Sequence, residues 1–129
     1  YQEWHADFSQ PQLWIAGGIG IAPFIGMWHC HRPEQSQQVR VLHFASSSDR
    51  LDYAQLLNHC HSQADYHRFD TPAGEAADLQ QLNPYLLQRG RSHPVWLSGP
   101  PGFIAASKRY LRQAGIPRHL IHAEQLNPW

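Results

Sequence analysis

The sequence predicts an α/β fold, an open five-stranded parallel sheet with helices on both faces. Two observations predict it. Apolar, strand-like runs alternate with helical runs along the chain, and two of the strands end in a turn rich in glycine and proline. Right-handed crossovers between parallel strands place helices on both faces of one sheet. Because ligands of such sheets bind at the carboxyl ends of strands, both turns are expected at one binding edge.

The most informative segment is LWIAGGIGIAPFIGM, which begins at Leu13 and changes from strand to turn to helix. Its first four residues, 13–16, form the predicted strand. Three glycines then permit a sharp turn whose N–H groups approach a ligand closely, and Pro23 fits the first turn of the following helix. The helix dipole favours an anion there. The segment therefore predicts a phosphate cradle, although its spacing matches neither of the two common nucleotide fingerprints. The three glycines are Gly17, Gly18 and Gly20.

The other elements follow from the same alternation. Strands are predicted at Val39–Ala45, Tyr66–Phe69, Pro94–Leu97 and Leu120–Ala123. Helices are predicted at Asp52–Cys60, from Asp78 to Gly90 with a break near Pro84, and at Phe103–Gln113. Loops are predicted at Thr71–Gly74 and Gly115–Pro117.

A second motif, SGPPGF from Ser98 to Phe103, also follows an apolar strand and precedes a helix. Together with GGIGIAPFIGM it resembles the NAD(P)-binding domain of the ferredoxin–NADP reductase superfamily, and most closely the ferric reductase and NADPH oxidase branch. The resemblance runs from Gln12 to Trp129. It departs from that branch at Ala22, Ser98 and Phe103, where the branch usually has Thr, Cys and Met.

The resemblance implies a Rossmann-like NAD(P)-binding domain over residues 12–129, with residues 1–11 as the end of a linker from an FAD-binding domain outside the chain. Hydride would pass from the nicotinamide to that FAD, and electrons onward to ferric iron or oxygen, through heme if an upstream membrane domain exists. The pyrophosphate is expected at Gly18 to Ala22. The expected cofactor-binding residues are Gly17, Gly18, Ile19, Gly20, Ile21, Ala22, Pro23, Ser46, Ser47, Arg50, Ser98, Gly99, Pro100 and Pro101.

The end of the second strand is expected to contact the adenosine ribose. By resemblance, Ser46, Ser47 and Arg50 favour the 2′-phosphate of NADPH, because arginine binds phosphate through a bidentate fork. Asp49 opposes this preference, since relatives that use NADH often present an acid to the ribose hydroxyl. The residues favour NADPH and leave NADH open. A solvated loop in which Ser48 and Asp49 cap the next helix is the alternative without a ligand.

Three residues are implied in hydride transfer. Ser98 occupies the position of a cysteine that helps to orient the nicotinamide, and Glu124 matches the acid of the Glu-x-aromatic ending. The aromatic position is Leu126 in the closest branch, whereas Trp129 ends the chain as aromatics do in other branches, and its ring is suited to stacking on a flavin. The sequence leaves open which of the two meets the flavin.

Composition limits the other classes of function. The 129 residues suit one domain, and a formal net charge of zero without a basic block excludes an electrostatic footprint for nucleic acid. No segment has the length or pattern of a membrane span or signal peptide. Two cysteines predict a reducing compartment on the cytoplasmic side. Because the chain begins at Tyr1, we expect a domain of a longer protein that binds nucleotide and does not turn over by itself.

Other hypotheses remain open from the sequence. One is a soluble flavodoxin or ferredoxin reductase domain, and another is a non-catalytic nucleotide sensor, suggested by Ser98 and Leu126. A third is a metal-binding interaction domain built on the triplets at 29–31 and 59–61, both His-Cys-His. Consecutive helical side chains cannot converge on one ion, so no metal site is expected, although two neighbouring helices could each offer one or two ligands. The electron acceptor, oligomeric state and membrane attachment through upstream segments are not readable from this chain.

Overall fold

The computed structural model describes residues 11–29, 39–57, 65–89 and 93–125. Within these residues, no helix is both long enough and apolar enough to cross a bilayer. The ends of the chain, 1–10 and 126–129, lie outside the described part, and so do Leu126 and Trp129.

A five-stranded parallel sheet in the order β3-β2-β1-β4-β5 forms the centre of the domain. Within the described residues, four helices lie between successive strands, and the predicted fold class is confirmed. The strands are β1 (Gln12–Gly17), β2 (Val39–Ser46), β3 (Asp65–Thr71), β4 (Val95–Gly99) and β5 (Ile121–Gln125). The helices are α1 (Ile21–His29), α2 (Tyr53–Leu57), α3 (Asn83–Arg89) and α4 (Pro101–Gln113).

The central strand β1 is buried on both faces, as its uninterrupted apolar run predicts. Leu13 and Ile15 belong to the core that includes residues of α3 and α4. Trp14 belongs to the opposite core with α1 and α2, where its ring stacks on Phe24 at 4.9 Å and meets Trp28 edge-on at 6.2 Å. Alternation of side chains along one strand therefore supplies the core of both faces.

One predicted helix boundary is wrong because of proline chemistry. Helix α4 begins at Pro101 and not at Phe103, because Pro100 is extended and Pro101 occupies the first helical turn. The break predicted near Pro84 is confirmed, because the 3-10 turn Leu79–Leu82 ends there and α3 begins at Asn83 with Pro84 in its first turn. The predicted cap is confirmed: the Asp78 carboxylate accepts from the Gln80 N–H at 3.2 Å and opens a 3-10 turn, Leu79–Leu82.

The strand order reverses between β1 and β4. From β1 the chain passes outward through β2 to β3, and it then returns to the other side of β1 for β4 and β5. At such a reversal, the connections that leave β1 and β4 run in opposite directions along the sheet. A crevice is therefore left between them, at the carboxyl ends of the two strands. Gly17 and Gly99 end these two strands, so both glycine motifs meet at the predicted binding edge.

Candidate functional site

The first motif folds as strand, turn and helix in the predicted order. A 3-10 turn over Gly18–Gly20 joins β1 to α1. Gly18 has a φ of +56°, a left-handed conformation that glycine adopts at little cost. The N–H of Ile21 donates to the carbonyl oxygens of Gly18 and Ile19, which closes the turn against the start of α1. The turn thus presents backbone and a helix N-terminus at the same place, as an anion site requires.

Four of the glycines in the two motifs have different roles. A Cβ on Gly20 would lie 2.1 Å from the carbonyl oxygen of Ser98, and one on Gly17 would lie 2.6 Å from the ring of Phe103. Gly99 is limited by the same ring, at 2.9 Å. These three glycines allow β1, β4 and α4 to pack closely. At Gly18, by contrast, no heavy atom lies within 4 Å of a Cβ, so this position faces open space.

Exposure divides the predicted cofactor-binding residues into two sets. Those accessible to a ligand are Gly18, Ile19, Ala22, Ser46, Ser47, Arg50, Pro100 and Pro101. Those buried in the fold are Gly17, Gly20, Ile21, Pro23, Ser98 and Gly99. Ile19 is 72% exposed although it is a large apolar residue, and it projects beside the turn. The accessible set supplies the surface that a ligand would touch, and the buried set shapes it.

A groove of about 250 Å³ runs along the carboxyl ends of β1, β2 and β3 and reaches the start of α4. It joins the glycine turn to the end of β2, which the sequence predicts as the adenosine contact. The groove is lined by Gly17, Gly18, Phe44, Ser46, Thr71, Pro72, Ala73, Gly74, Glu75, Ala77, Pro100 and Phe103. The loop after β3, which sequence reasoning treated as a connection only, therefore forms one wall. A larger cavity of about 720 Å³ lies elsewhere, among basic residues of α4 and the start of β5.

Arg68 of β3 fixes the loop that follows β2. Its guanidinium donates to the carbonyl oxygens of Asp49 at 2.6 Å and Ser46 at 3.0 Å. It also donates to the carboxylate of Asp70 at 2.7 Å, which holds the fork in place. Sequence reasoning missed this residue. The signal was a cation inside a predicted strand, whose charged end must reach polar partners when the strand pairs.

Asp49 faces its own loop and the next helix. Its carboxylate accepts from the Leu51 N–H at 3.1 Å and from the Tyr53 hydroxyl. The hydrogen bond from Tyr53 is the main cause that lowers the pKa of Asp49. The cap of α2 is Asp52, which accepts from the Gln55 N–H at 3.1 Å. The predicted capping of that helix by Ser48 and Asp49 is therefore wrong, and the alternative of a solvated loop without a ligand stays open.

His43 of β2 lies fully buried beneath the glycine turn. One ring nitrogen, Nε2, is 2.9 Å from the carbonyl oxygen of Gly18, and the other, Nδ1, is 2.7 Å from the Tyr66 hydroxyl. Its ring meets that of Tyr53 edge-on at 4.8 Å. Sequence reasoning missed this residue as well. A histidine within the apolar run of β2 was the available signal.

Ser98 is the more enclosed of the two predicted catalytic residues that the structure describes. Its exposed fraction is 0%, and its hydroxyl has no hydrogen-bond partner among the described residues. Glu124 is its register neighbour on β5 and is partly exposed. The two residues predicted beside the nicotinamide are thus adjacent at the binding edge, but a ring could touch Ser98 only after covering atoms move. Their roles in hydride transfer remain predictions, as does that of Trp129.

The structure gives no support for a metal centre in the part it describes. No group of three or more His, Cys, Asp or Glu side chains is placed to hold an ion there. Of the two His-Cys-His triplets, only His29 falls within the described residues. Its Nε2 lies 2.8 Å from the carbonyl oxygen of Leu56, a structural contact between α1 and α2.

Known proteins place this geometry in context. No family model matches the chain. Flavohemoproteins from Pseudomonas aeruginosa and Pseudomonas putida are 28% and 27% identical to it, in alignments that cover 95% of the chain. These alignments cover 33% and 34% of the two relatives, so the chain spans about a third of their length.

Solved structures share the architecture. The domain matches a cytochrome P450 reductase from Amycolatopsis with a TM-score of 0.66 and 18% identity, over 95% of this chain and 39% of that one. It matches the ferredoxin reductase of a carbazole 1,9a-dioxygenase with a TM-score of 0.64 and 19% identity, over 91% and 38%. The chain has the fold of a ferredoxin reductase NAD-binding domain.

A further reductase-type neighbour has the same fold. The FAD/NAD-binding domain of a nitric oxide dioxygenase from Vibrio cholerae gives a TM-score of 0.63 at 19% identity, over 99% of this chain and 56% of that one. The fold predicted from the two glycine motifs, that of a ferredoxin reductase NAD-binding domain, is therefore confirmed. The ferric reductase and NADPH oxidase branch stays a prediction, because these similar proteins are flavohemoproteins and other reductases.

Proposed function

We propose that this chain is the NAD(P)H-binding module of a flavin-dependent electron-transfer oxidoreductase. One observation carries the proposal. The Gly18 turn, with its positive φ at the start of α1, lies on the same groove as the end of β2. A pyrophosphate and an adenosine ribose need two such sites side by side. The Pseudomonas flavohemoproteins and the Vibrio cholerae FAD/NAD-binding domain support a flavin-linked reductase.

The binding edge has the dimensions for an extended dinucleotide. Neighbouring strands lie about 4.8 Å apart, so the ends of β2 and β5 are separated by about 14 Å in the order β2-β1-β4-β5. In this arrangement the adenosine lies against Ser46 and Arg50, and the pyrophosphate lies at Gly18 to Ala22. The nicotinamide then reaches Pro100 and Glu124. Each segment of the cofactor meets one strand end.

NADPH is the proposed cofactor, with NADH as the alternative. Arg50 is exposed at the loop after β2 and forms no ion pair within the described residues. Ser46 and Ser47 are exposed beside it. Both carboxylate oxygens of Asp49 already accept hydrogen bonds inside the loop, which lessens the competition of Asp49 for a ribose hydroxyl. These positions favour the ribose 2′-phosphate of NADPH over the ribose 2′-hydroxyl of NADH.

The chain's contribution to the reaction is orientation and exclusion of water. When bound, reduced nicotinamide supplies a hydride and FAD accepts it. The backbone of the Gly18 turn and the N-terminus of α1 hold the phosphates, which fixes the other end of the cofactor over β4 and β5. Glu124 and the carboxyl end of β4 at Ser98 would set the position of the nicotinamide ring. The FAD belongs to an adjacent domain that precedes residue 12, with residues 1–11 as the end of its linker.

The whole protein is proposed to be an FAD-linked NAD(P)H oxidoreductase whose nucleotide-binding domain lies on the cytoplasmic side. The relatives named flavohemoproteins favour a heme partner domain, and ferric iron or oxygen would be the acceptor in the ferric reductase-like alternative. Heme in a membrane domain and attachment through upstream segments belong to that alternative. A soluble flavodoxin or ferredoxin reductase is compatible with the same site.

A nucleotide sensor without hydride transfer is the second candidate. The observation that favours it is the burial of Ser98, whose hydroxyl is inaccessible at the position where relatives of the closest branch place a thiol. The sensor would use the same groove and the same phosphate turn. It differs only in the step that follows binding.

Calorimetry and stopped-flow spectroscopy test these proposals in sequence. The chain is titrated with NADPH, NADH and inorganic pyrophosphate, and we expect binding of both nucleotides with preference for NADPH. Absence of nucleotide binding would refute the proposed module. The FAD-binding domain is then restored on the same polypeptide, and flavin reduction by NADPH is followed. Binding without flavin reduction would favour the sensor, whereas rapid reduction would exclude it.

A further inference from the structure

A hydrogen-bonded chain connects the interior of the domain to the glycine turn. It begins at the hydroxyl of Tyr66 on β3, passes through the ring of His43 on β2, and ends at the carbonyl oxygen of Gly18. The two contacts measure 2.7 Å and 2.9 Å. His43 is 0% exposed, so no solvent competes for its ring nitrogens. These two buried polar contacts therefore link β3, β2 and the glycine turn that follows β1.

The partners determine the tautomer of His43. A carbonyl oxygen only accepts hydrogen bonds, so Nε2 must carry the proton that it shares with Gly18. In a neutral ring Nδ1 is then an acceptor, and the Tyr66 hydroxyl donates to it. Both ring nitrogens are therefore satisfied with the ring uncharged. A buried neutral ring is also the form of lower desolvation cost.

The bond from His43 fixes the orientation of one peptide plane in the turn. The Gly18 carbonyl accepts from His43 and from the Ile21 N–H, which uses both of its lone pairs. In a trans peptide the carbonyl and the following N–H point in opposite directions, and the described residues contain no cis bond. A Gly18 carbonyl held toward His43 therefore directs the Ile19 N–H away from the interior. The side chain of Ile19 is exposed on that outer side.

The charged and titratable neighbours of His43 come from three elements. Arg68 lies on β3 with Tyr66, Asp49 belongs to the loop after β2, and Tyr53 lies on α2. Burial is the largest influence on its pKa and lowers it, the bond to Gly18 opposes this, Arg68 adds to the lowering, and Asp49 opposes it. Burial also raises the pKa of Tyr66, which keeps that hydroxyl protonated as a donor. At neutral pH, Tyr66 therefore still donates to Nδ1 of His43, and Nε2 of His43 still donates to the Gly18 carbonyl.

We propose that His43, oriented by Tyr66, is a positioning residue that holds the Gly18–Ile19 peptide with its N–H directed toward the phosphate of the bound nucleotide. The inference rests on the proposed nucleotide-binding function. It adds a residue that touches no ligand and acts through the backbone of the turn. The residue lies on a different strand from the turn that it controls.

Three variants of the chain test the proposal. His43→Leu removes the donor, His43→Gln keeps a side-chain N–H at a similar reach, and Val41→Ala is the matched control. Val41 is buried on the same strand and the same face, two residues away, and has no polar contact with the turn. It measures the effect of lost core packing alone. Stability is measured for each variant by urea unfolding.

The first readout needs no nucleotide. Nitrogen-15 NMR of the histidine ring should show His43 as the neutral Nε2–H tautomer at neutral pH. Amide exchange at Ile21, whose N–H donates to the Gly18 carbonyl, should be faster by about fivefold or more in His43→Leu, since the bond that orients this carbonyl is lost, and close to the parent in His43→Gln and Val41→Ala. The opposite tautomer, or an Ile21 amide that exchanges equally in all variants, would overturn the proposal.

The second readout is affinity for NADPH by calorimetry. We expect His43→Leu to weaken binding about five- to tenfold, and His43→Gln to recover most of that loss. Val41→Ala should bind like the parent even where it is less stable. Equal weakening in His43→Leu and Val41→Ala would overturn the positioning role. If the parent binds no nucleotide, the proposed function fails, and the exchange of the Ile21 amide still decides whether His43 holds the turn.

Discussion

Gly20 packs directly against the backbone of Ser98, so that a Cβ on Gly20 would lie 2.1 Å from the Ser98 carbonyl oxygen. This contact joins the two glycine motifs, which are 78 residues apart in the chain (98 minus 20). It also explains why β1 and β4 can approach each other at the point where the sheet order reverses. The cradle and the proposed nicotinamide edge are therefore parts of one rigid arrangement.

Gly20→Ala is expected to destabilise the domain. The backbone of β4 cannot retreat cheaply, and overpacking of this kind costs typically about 1–3 kcal/mol. Gly26→Ala in the middle of α1 is the control, because a Cβ there meets nothing within 4 Å. Alanine in a helix is favoured over glycine by about 0.5–1 kcal/mol. Urea unfolding should show opposite signs for the two variants, and equal stabilities would contradict the contact.

Gly18→Val is expected to weaken NADPH and NADH binding strongly. The position has open space for a side chain, but its φ of +56° strains a β-branched residue. The turn must then change shape, or the side chain must occupy the phosphate site. Gly18→Asn is the comparison, because asparagine adopts positive φ more readily. Calorimetry should rank affinity as parent, then Asn, then Val, and an unchanged affinity in Gly18→Val would move the pyrophosphate elsewhere.

Arg50→Ala should weaken NADPH more than NADH. A charged hydrogen bond to the 2′-phosphate is worth about 1.5–3 kcal/mol, which corresponds to roughly tenfold or more in affinity. Arg112→Ala, an exposed arginine of α4 outside the groove, is the control. Arg68→Ala should instead weaken both nucleotides alike, because Arg68 binds the loop backbone at Ser46 and Asp49. Equal losses for both cofactors in Arg50→Ala would exclude it from phosphate recognition.

Ser98→Cys is expected to raise the rate of flavin reduction in a polypeptide that includes the FAD-binding domain. The larger, more polarizable sulfur would restore the group that the predicted ferric reductase and NADPH oxidase branch carries at this position. Nucleotide affinity should stay within about twofold, because phosphate contacts supply most of the binding. Ser107→Cys is the control, since Ser107 is equally buried and also lacks a partner among the described residues, but lies on α4. A change of affinity without a faster rate would make Ser98 a binding contact.

The stability of the chain should fall as the pH is lowered below 6.5. The pKa of His43 is held below that ordinary value, first by burial, so the unfolded chain takes up its proton at a higher pH than the folded chain. Stability is then lost as pH falls from 6.5 toward the folded pKa, by at most about 1.4 kcal/mol per pH unit for one proton. His122 acts in the same direction, because burial and His119 lower its pKa.

Urea unfolding across this pH range separates the two histidines. His43→Gln should remove one part of the slope and His122→Gln the other. The carboxyls of Asp49 and Asp65 do not contribute here, because their pKa values are held below 3.8. A slope that is identical in the parent and in His43→Gln would show that His43 has the same pKa in the folded and unfolded chain.

The sequence by itself determined the order of elements and the first motif. The run from strand to glycine turn to helix at residues 13–27 is local, because a buried apolar run, three glycines and Pro23 each constrain their own backbone. The parallel sheet with helices on both faces followed from the alternation of strands and helices. The Asp78 cap was readable for the same reason, since a cap bonds within its own turn.

Only the tertiary structure decided which residues of the site work together. His43 contacts Gly18 across 25 residues, and Arg68 contacts Ser46 and Asp49 across 22 and 19 residues. Neither pairing leaves a local pattern, because strand register brings these atoms together after the chain has folded. The same applies to Ser98, which is fully buried and whose backbone carbonyl lies directly against Gly20, a residue of the other motif. Local chemistry specified the turn, and long-range packing set its orientation and exposure.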